Sequence, residues 1–388
     1  MSTLKSMMIV SDDYPSEGRP TNIFVEQLVN ALVDLGVDVK VVAEQSVTRI
    51  IMRRQSILPR YTKMTTNQGN VYEVFRPYGI SLGNLNAGKR LVLAYNRWSI
   101  TRILKKIKVD ALYGHFWHNA RKVNEYARKN HIPLFVACGE GDEALENMVK
   151  SIGGKEKKSL IESITGVISV SSENQRKCLK FGLIDNKNII ILPNCVDTTL
   201  FHTKKDPETK TRLGISDGDF TIVFVGGFIP RKGPDRVARA IDLLNDEHVK
   251  SIFIGKPFSG YDYDFNCKGI VYKGIANHNE IPNLLGCADV FVLPTQKEGC
   301  CNAIVEALAC GLPVISSNGP FNDDILDENN SIKVDPMNVE EISNAIAYLR
   351  DHPEVRKEMQ KVSLARHDQY SIESRAKKIK AFIENRLC

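Results

Sequence analysis

Short apolar runs alternate with helix-like windows along this chain, and that alternation limits the fold more than any other feature. The runs begin with MMIV at 7–10 and VDVKVVA at 37–43, and a new series starts with FTIVFVGG at 220–227. Strands that alternate with helices form parallel sheets, because each crossover helix returns the chain to the same edge. The sequence therefore predicts a doubly wound α/β architecture.

A polar stretch at 202–219 separates the two series of strands and is the best domain boundary. We expect two α/β domains of similar size, at 1–202 and 203–371, which suits a chain of 388 residues. Periodicity leaves open whether the last helical segment, 372–388, packs back on the first domain. Folds of this kind bind ligands outside the carboxyl ends of their strands, so two facing domains predict a cleft site.

Composition narrows the class of protein. The chain is 43% hydrophobic and 25% charged, which is typical of a globular protein. No apolar run approaches the ~18–20 residues that span a bilayer, and MSTLKSMMIVSDDYP lacks the apolar stretch of a signal peptide. The nine cysteines include no CxxC pair, which argues against zinc, iron–sulfur and disulfide frameworks. Scattered thiols suit a reducing cytoplasm, where we expect the protein to reside.

The first motif with chemical content is FVGGFIPRKGPDRVARAIDLL at 224–244. A strand ends in two glycines, and Arg231 and Lys232 precede Pro234 at the first position of a helix. Backbone N–H groups, the positive end of a helix dipole and two cations would together fit a diphosphate. The Walker pattern GxxxxGK[ST] and the pattern GxGxxG are both absent. Taken alone, the segment is equally compatible with a plain strand–helix connection.

The second motif is LPTQKEGCCNAIVEALACGLPVISS at 293–317. A strand ends at Pro294, a loop brings in Glu298, a helix is predicted from near Asn302, and Glu306 lies on that helix. Helical spacing would place the two carboxylates about 12 Å apart, too far for the ~5–9.5 Å pair of a glycosidase. They could instead bind two hydroxyl groups of one long ligand. In isolation, two surface carboxylates would be the commoner interpretation.

Together these motifs resemble the retaining glycosyltransferases of glycosyltransferase family 4, which have the two-domain GT-B fold. The E-x7-E pattern of that family corresponds to Glu298 and Glu306, and its phosphate region corresponds to VGGFIPRKGPD. The end of the family's first domain is similar to the stretch from Ser169 to Phe201. The resemblance covers nearly the whole chain and implies two Rossmann-like domains facing across a cleft, with the acceptor in 1–202 and the nucleotide sugar in 203–371.

The resemblance also implies roles for residues of the second domain. Glu306 is expected to bind the ribose, Glu298 the transferred sugar, and Arg231 with Lys232 the departing diphosphate. Where family members commonly carry arginine, this chain has Gly227, so Arg231 is expected to substitute. Further substrate contacts, mostly through backbone groups, are expected from Gly227, Gly299, Cys300, Cys301 and Asn302, and from the base-binding turn Lys273, Gly274 and Ile275.

In the first domain, the resemblance implies that His115 faces the reacting sugar, with His118 ranked below it. A lone histidine in an apolar run is otherwise more often structural. The glycine-rich approach of the family is reduced here to Gly18 and its neighbours. Catalysis is assigned to Glu298, Arg231, Lys232 and His115. The acceptor proton is expected to pass to a phosphate oxygen with retention of configuration, without a metal or other cofactor; UDP is favoured over GDP.

The acceptor side rests on a basic segment. Thirteen Lys and Arg residues stand against a single acid, Glu73, between Arg49 and Lys108, although the whole chain carries a net charge of only +6. Within 86–110, aromatic residues alternate with bases, which suits an anionic membrane surface and a lipid-linked acceptor in surface polysaccharide assembly. A solvated amphipathic helix explains the pattern equally well. Nucleic acid is a weaker interpretation, because no recognition motif accompanies the charge.

Three other functions stay open from the sequence. A phosphorylase would use the same fold, although it usually needs a pyridoxal-bearing lysine and a much longer chain. A nucleotide-sugar epimerase would use the same fold but convert its donor without an acceptor. A non-catalytic member would bind nucleotide or act as a scaffold, although the presence of Glu298, Glu306, Arg231 and Lys232 argues against this interpretation.

Overall fold

The structure is a computed structural model that describes residues 3–16, 19, 21–52, 54–81, 88–204, 206–258 and 263–387. It divides the chain into two compact units, Met1–Leu192 with Glu373–Cys388, and Pro193–Ile372. The division falls ten residues before the expected 202/203 boundary. Val196 exchanges backbone hydrogen bonds with Tyr370 and Ile372, and Phe201 is buried in the core of the second unit, so 193–202 fold with that unit.

The first unit contains ten strands and eight helices among the described residues. Its strands are β1 (Ser6–Ser11), β2 (Asp38–Ala43), β3 (Gln45–Ser46), β4 (Tyr61–Thr65), β5 (Val71–Phe75), β6 (Tyr78–Gly79), β7 (Ala111–His115), β8 (Leu134–Cys138), β9 (Ile164–Ser169) and β10 (Ile189–Ile191). Its first seven helices are α1 (Ile23–Asp34), α2 (Val47–Met52), α3 (Lys89–Leu104), α4 (Trp117–Lys129), α5 (Asp142–Ser151), α6 (Gly154–Ser163) and α7 (Ser172–Lys180).

Eight of these strands form one sheet in the order β10-β9-β8-β7-β1-β2-β5-β4, and only β4 runs antiparallel to its neighbour. Strands β3 and β6 form a separate parallel pair. The central strands are apolar and buried on both faces, as the cores of parallel sheets require. Their carboxyl ends share one edge, where Asp12 follows β1, Glu44 follows β2, His115 ends β7 and Glu140 follows β8.

The second unit is a parallel six-stranded sheet with helices. Its elements in chain order are α8 (Pro207–Arg212), β11 (Phe220–Val225), α9 (Pro234–Leu244), β12 (Val249–Ile254), β13 (Ile270–Gly274), α10 (Ile281–Leu285), β14 (Val290–Leu293), α11 (Asn302–Ala309), β15 (Val314–Ser317), β16 (Ser331–Val334), α12 (Val339–Asp351) and α13 (Pro353–Ala365). The strand order is β13-β12-β11-β14-β15-β16. The order reverses between β11 and β14, so the loops that follow these two strands lie where such sheets bind ligands.

The last helix, α14 (Ile372–Glu384), returns to the first unit from Glu373 onward. The ring of Phe382 lies 6.1 Å from that of Phe135, and Glu384 accepts a hydrogen bond from the Leu4 amide at 3.0 Å. Gly166 in β9 makes room for this contact, because a Cβ there would come within 2.8 Å of the Phe382 ring. The helix thus packs against β8 and β9 of the first sheet.

Candidate active site

The loop between β11 and α9 has the form of a phosphate-binding loop. Gly233 adopts φ +73°, and a Cβ there would lie 2.3 Å from the guanidinium of Arg236, so glycine is required for both backbone and space. Pro234 then begins α9, where its missing N–H costs nothing. Gly227 is also closely covered, since a Cβ there would approach the Phe258 ring at 2.8 Å.

Arg236 ties this loop to the neighbouring strand end. Its side chain is only 5% exposed, and its two terminal nitrogens donate to the carbonyls of Pro230 at 2.8 Å and Pro294 at 2.9 Å. Burial lowers the pKa of Arg236, but a guanidinium remains charged. Sequence reasoning missed this residue, because an arginine in an amphipathic helix gives no sign that it points inward.

Glu298 brings together three of the residues assigned to catalysis. Its Oε1 accepts hydrogen bonds from Lys232 Nζ at 2.5 Å, Thr295 Oγ1 at 2.7 Å and Arg231 Nη1 at 3.0 Å. Both cations come from the loop after β11, whereas the carboxylate comes from the loop after β14. A carboxylate with two cations beside it can hold a sugar hydroxyl while the cations face a phosphate group.

Lys232 is largely buried beside a thiol. Its Nζ lies 3.8 Å from Cys301 Sγ, and burial raises the pKa of that thiol, which therefore stays protonated. Burial alone would lower the pKa of Lys232, but the contact with the Glu298 carboxylate outweighs it and raises this pKa above its ordinary value. The ammonium is thus held in its charged form at neutral pH.

Glu306 lies on α11 with a side chain that is largely covered. The residue is 8% exposed, and its Oε1 lies 3.5 Å from Nε2 of His278, whose ring packs against Phe201 at 5.2 Å. Glu298 is in the loop before the helix, so the helical separation assumed from sequence does not describe this pair. His278 is a neighbour that sequence reasoning missed, because it lies in a short turn with no motif of its own.

The start of α11 presents backbone N–H groups without a side-chain cap. The loop before it is fixed by Asn194, whose amide donates to the Cys300 carbonyl at 3.1 Å and to Asn302 Oδ1 at 2.8 Å. Gly299 and Cys301 are buried within this loop. Asn194 appeared in the sequence only as part of a domain-end motif, and its positioning role becomes visible in the structure.

At the expected base-binding turn, Lys273 lies in β13, and its side chain is already engaged by the segment that precedes this strand. Lys273 Nζ lies 2.6 Å from Asp264 Oδ1 and 4.2 Å from the centre of the Phe265 ring. The Gly274 carbonyl accepts the Gly255 amide at 2.8 Å, and Ile275 is exposed. Any contact of this turn with a base would therefore come from backbone groups and the Ile275 side chain.

In the first unit, His115 is buried at the end of β7. It is 7% exposed, and both ring nitrogens lack a hydrogen-bond partner among the described residues. Its ring lies 4.4 Å from Phe116 and 5.2 Å from Phe24. Burial, followed by the positive charge of Arg375, lowers the pKa of His115 to about 3, so the imidazole is neutral at physiological pH.

His118 is more accessible than His115 and belongs to an ionic cluster. Its Nε2 contacts Asp12 Oδ2, while Lys122 Nζ lies 2.7 Å from Asp12 Oδ1 and 3.4 Å from Glu44 Oε2. Burial alone would raise the pKa of Asp12, but its contacts with His118 and Lys122 hold that pKa well below the usual range. The cluster therefore keeps a charged carboxylate at the carboxyl edge of the first sheet.

Three further expectations concern absences or undescribed residues. Gly18 lies outside the described residues. Within the described ranges, no group of three His, Cys, Asp or Glu side chains is placed to hold a metal ion. The described helices also include none that is long and apolar enough to cross a membrane.

Comparisons with known proteins agree with this architecture. Residues 205–364 match the family described as "Glycosyl transferases group 1", and residues 21–200 match "Glycosyltransferase Family 4". The sucrose-phosphate synthase of Thermosynechococcus elongatus superposes with a TM-score of 0.75 at 15% identity, covering 98% of each chain. Anabaena Alr3699/HepE in complex with UDP-glucose gives a TM-score of 0.69 at 15% identity, covering 98% of this chain and 99% of that one.

The relatives found by sequence are also named as glycosyltransferases. The chain is 27% identical over 269 residues to the Escherichia coli UDP-Gal:alpha-D-GlcNAc-diphosphoundecaprenol alpha-1,3-galactosyltransferase, covering 65% of this chain and 69% of the relative. It is 24% identical to the putative teichuronic acid biosynthesis glycosyltransferase TuaC of Bacillus subtilis, covering 87% of each. The protein is a glycosyltransferase with the two-domain α/β GT-B fold, which confirms the fold and the enzyme class predicted from the sequence.

Proposed function

We propose that this enzyme is a retaining hexosyltransferase that uses a nucleotide diphosphate sugar, with UDP favoured and GDP second. The observation that carries the proposal is the convergence of Arg231 and Lys232 on Glu298 at the ends of β11 and β14. Glu306 follows on the next helix and would bind the ribose. The complexes of Anabaena Alr3699/HepE with UDP and UDP-glucose support a UDP-sugar donor.

The proposed reaction breaks the anomeric bond to the diphosphate. Positive charge develops on the sugar and negative charge on the phosphate, which Arg231, Lys232 and the N–H groups at the start of α11 would stabilise. The acceptor hydroxyl attacks from the face that the diphosphate leaves, and its proton passes to a phosphate oxygen. The configuration is thereby retained, and no dedicated protein base is required.

His115 fits the role of a neutral partner for the donor sugar. Two unpartnered ring nitrogens in a buried site can donate one hydrogen bond and accept another without adding charge. A cation there would oppose the positive charge that develops on the sugar. The low pKa of His115 therefore suits a group that orients hydroxyls, not one that transfers protons.

We expect turnover without a metal ion, because two cations and backbone N–H groups would neutralise the diphosphate. Activity should then survive EDTA. Loss of activity in EDTA, with recovery after addition of Mg²⁺ or Mn²⁺, would contradict this part of the proposal.

For the acceptor we propose a lipid-linked or polysaccharide-precursor glycan in surface polysaccharide synthesis, at the cytoplasmic face of the membrane. The acceptor named for the Escherichia coli relative, a GlcNAc-diphosphoundecaprenol, supports this choice. Helix α3 supports it too, because Leu91 is 79% and Trp98 54% exposed, and Arg102 lies 4.9 Å over the Trp98 ring. Exposed apolar side chains among cations suit peripheral binding to an anionic membrane.

A thermal-shift titration with UDP, GDP, ADP and NAD tests the donor, because a ligand that binds the folded state raises the melting temperature. A clear shift with one nucleoside diphosphate, followed by consumption of the corresponding sugar donor, is the expected result. A shift with NAD alone, or with no nucleotide, would overturn the proposal. Donor epimerisation without an acceptor would favour an epimerase, and nucleotide binding without any turnover would favour a scaffold.

A further inference from the structure

A groove of about 1410 Å³ lies in the helical layer of the first unit, between α3, α4 and the start of α6. Its volume exceeds the roughly 300–1,000 Å³ of ordinary small-molecule pockets. Along α4 the lining extends from Arg121 in the second turn to Arg128 in the last turn. It therefore runs away from the strand edge that carries His115, and its occupant is not the reacting end of the acceptor.

The charges that line the groove do not balance. Arg121 binds both oxygens of Glu156, at 2.7 and 2.9 Å, and Arg97 contacts Glu156 at 3.1 Å and Glu125 at 2.8 Å. These four side chains neutralise one another and hold the wall in place. The three remaining cations of the lining, Arg90, Arg128 and Lys155, form no ion pair with any described residue. The groove thus carries three positive charges that an anion can neutralise.

Backbone donors add to this charge where α6 begins. Gly153 occupies the N-cap position and offers no side-chain cap, and a Cβ at Gly153 or Gly154 would meet nothing within 4 Å. The backbone of this first turn is therefore open on the side of its missing Cβ atoms, and it lies at the positive end of the helix dipole. Glu156, the acid of the first turn, is already bound by two arginines. This helix start and the three cations together give the groove a positive charge of the kind that a phosphate group would neutralise.

The groove has an apolar rim, which favours the phosphate of a lipid over a free phosphate. Leu91 and Ala94 line the groove, and Leu91 is exposed on the same helix as Trp98. We propose that the groove binds the phosphate headgroup of an anionic phospholipid while the exposed side chains of α3 contact its acyl region. This inference rests on the membrane binding in the proposed function. It adds a specific site for the lipid headgroup.

Vesicle flotation with a charge-reversed double variant tests the site. Arg128→Glu/Lys155→Glu removes two cations of the groove, whereas Lys129→Glu/Lys158→Glu makes the same change on the same two helices outside its lining. Each cation near an anionic membrane contributes about 1 kcal/mol. We expect partitioning onto phosphatidylcholine–phosphatidylglycerol vesicles to fall about tenfold further in the groove variant than in the control. Neither variant should bind to vesicles of phosphatidylcholine alone.

Three outcomes would overturn the inference. Equal losses in the two variants would mean that the whole basic surface acts without a headgroup site. Tight binding of inorganic diphosphate that the groove variant loses, with unchanged vesicle binding, would assign the groove to a free phosphate. Failure of the wild-type protein to bind anionic vesicles would remove both the groove and the membrane proposal. The UDP-induced thermal shift is measured on the same samples, so a failure of the donor assignment remains distinguishable.

Discussion

Glu298 and Glu306, eight residues apart, have different surroundings. We therefore expect their substitution to affect UDP binding and kcat differently. Glu306→Gln should weaken UDP binding by about tenfold, because a charge-assisted hydrogen bond to the ribose becomes a neutral one. Glu298→Gln should spare UDP binding but lower kcat by about 10²–10³, because its contact with the sugar and with Lys232 acts in the transition state.

The matched control for this pair is Glu340→Gln, an exposed carboxylate on α12. Calorimetric titration with UDP and steady-state kinetics would be measured for all three variants. Equal UDP affinity and equal turnover in the Glu298 and Glu306 variants would contradict the two assignments.

His115 predicts a pH dependence of stability. Its folded pKa is about 3, whereas an unfolded histidine titrates near 6.5, so between these values only the unfolded state takes up a proton. Burial of the neutral imidazole therefore makes its full contribution to the free energy of unfolding above pH 6.5, and this contribution is lost as the pH falls toward 3. We expect the free energy of unfolding to be about 2 kcal/mol lower at pH 5 than at pH 7 because of this histidine.

His115→Asn removes the titrating group, so its unfolding free energy should change by about 2 kcal/mol less between pH 7 and pH 5 than that of the wild type. The exposed His202 provides the control variant His202→Asn. Urea unfolding at the two pH values measures the difference. The same pH dependence in wild type and His115→Asn would show that His115 does not contribute to it.

At the scale of elements, Arg236 joins two loops by hydrogen bonds. One loop carries Arg231 and Lys232, which are proposed to bind the diphosphate, and the other carries Glu298. Arg236→Lys keeps the charge but cannot reach the carbonyls of Pro230 and Pro294 together. We expect kcat to fall about tenfold, because Arg231 and Lys232 lose their fixed geometry, with a stability loss of about 1–3 kcal/mol.

Arg239→Lys makes the same substitution on the exposed side of α9 and should behave as wild type. Both variants would be assayed at a temperature where melting curves show them fully folded, so that lost stability does not account for lost turnover. Unchanged kcat in folded Arg236→Lys would remove its positioning role.

Strands were predictable where burial on both faces makes a continuous apolar run. This explains why β1, β2 and β11 coincide with predicted runs, whereas the hairpin of β4 and β5 was not predicted. Polar residues such as Lys63 and Glu73 alternate along that hairpin, because it forms the exposed edge of its sheet. Strand β16 was missed for a related reason, since SIKV is short and only half buried.

The local secondary structure around the candidate site followed from motifs, because the backbone of such strand–loop–helix segments is stereotyped. The loop with Arg231 and Lys232 and the start of α11 at Asn302 lie where the sequence placed them. The residues that hold these loops, Asn194 and Arg236, act across long separations in sequence. Local patterns carry no information on such contacts, so only the fold reveals them.

At the scale of the whole molecule, the chain closes its first unit with its last helix. Apolar periodicity could not assign α14 to either unit, because an amphipathic helix fits any apolar face of the right size. The structure places α14 on the first unit, because the Phe382 ring fits the space that Gly166 leaves beside β9. The first unit therefore depends on residues that follow the entire second unit.

This dependence predicts an asymmetric result when residues 373–388 are deleted. Loss of the buried Ile379, Phe382 and Ile383 should destabilise the first unit by about 5 kcal/mol or more, at about 1.5–3 kcal/mol for each side chain. The second unit keeps Arg231, Lys232, Glu298 and Glu306, so its stabilisation by UDP should persist. Hydrogen exchange followed segment by segment measures both effects in one sample, with deletion of 387–388 as the control. Equal protection of β8 and β9 in the truncated and control proteins would show that α14 is dispensable for the first core.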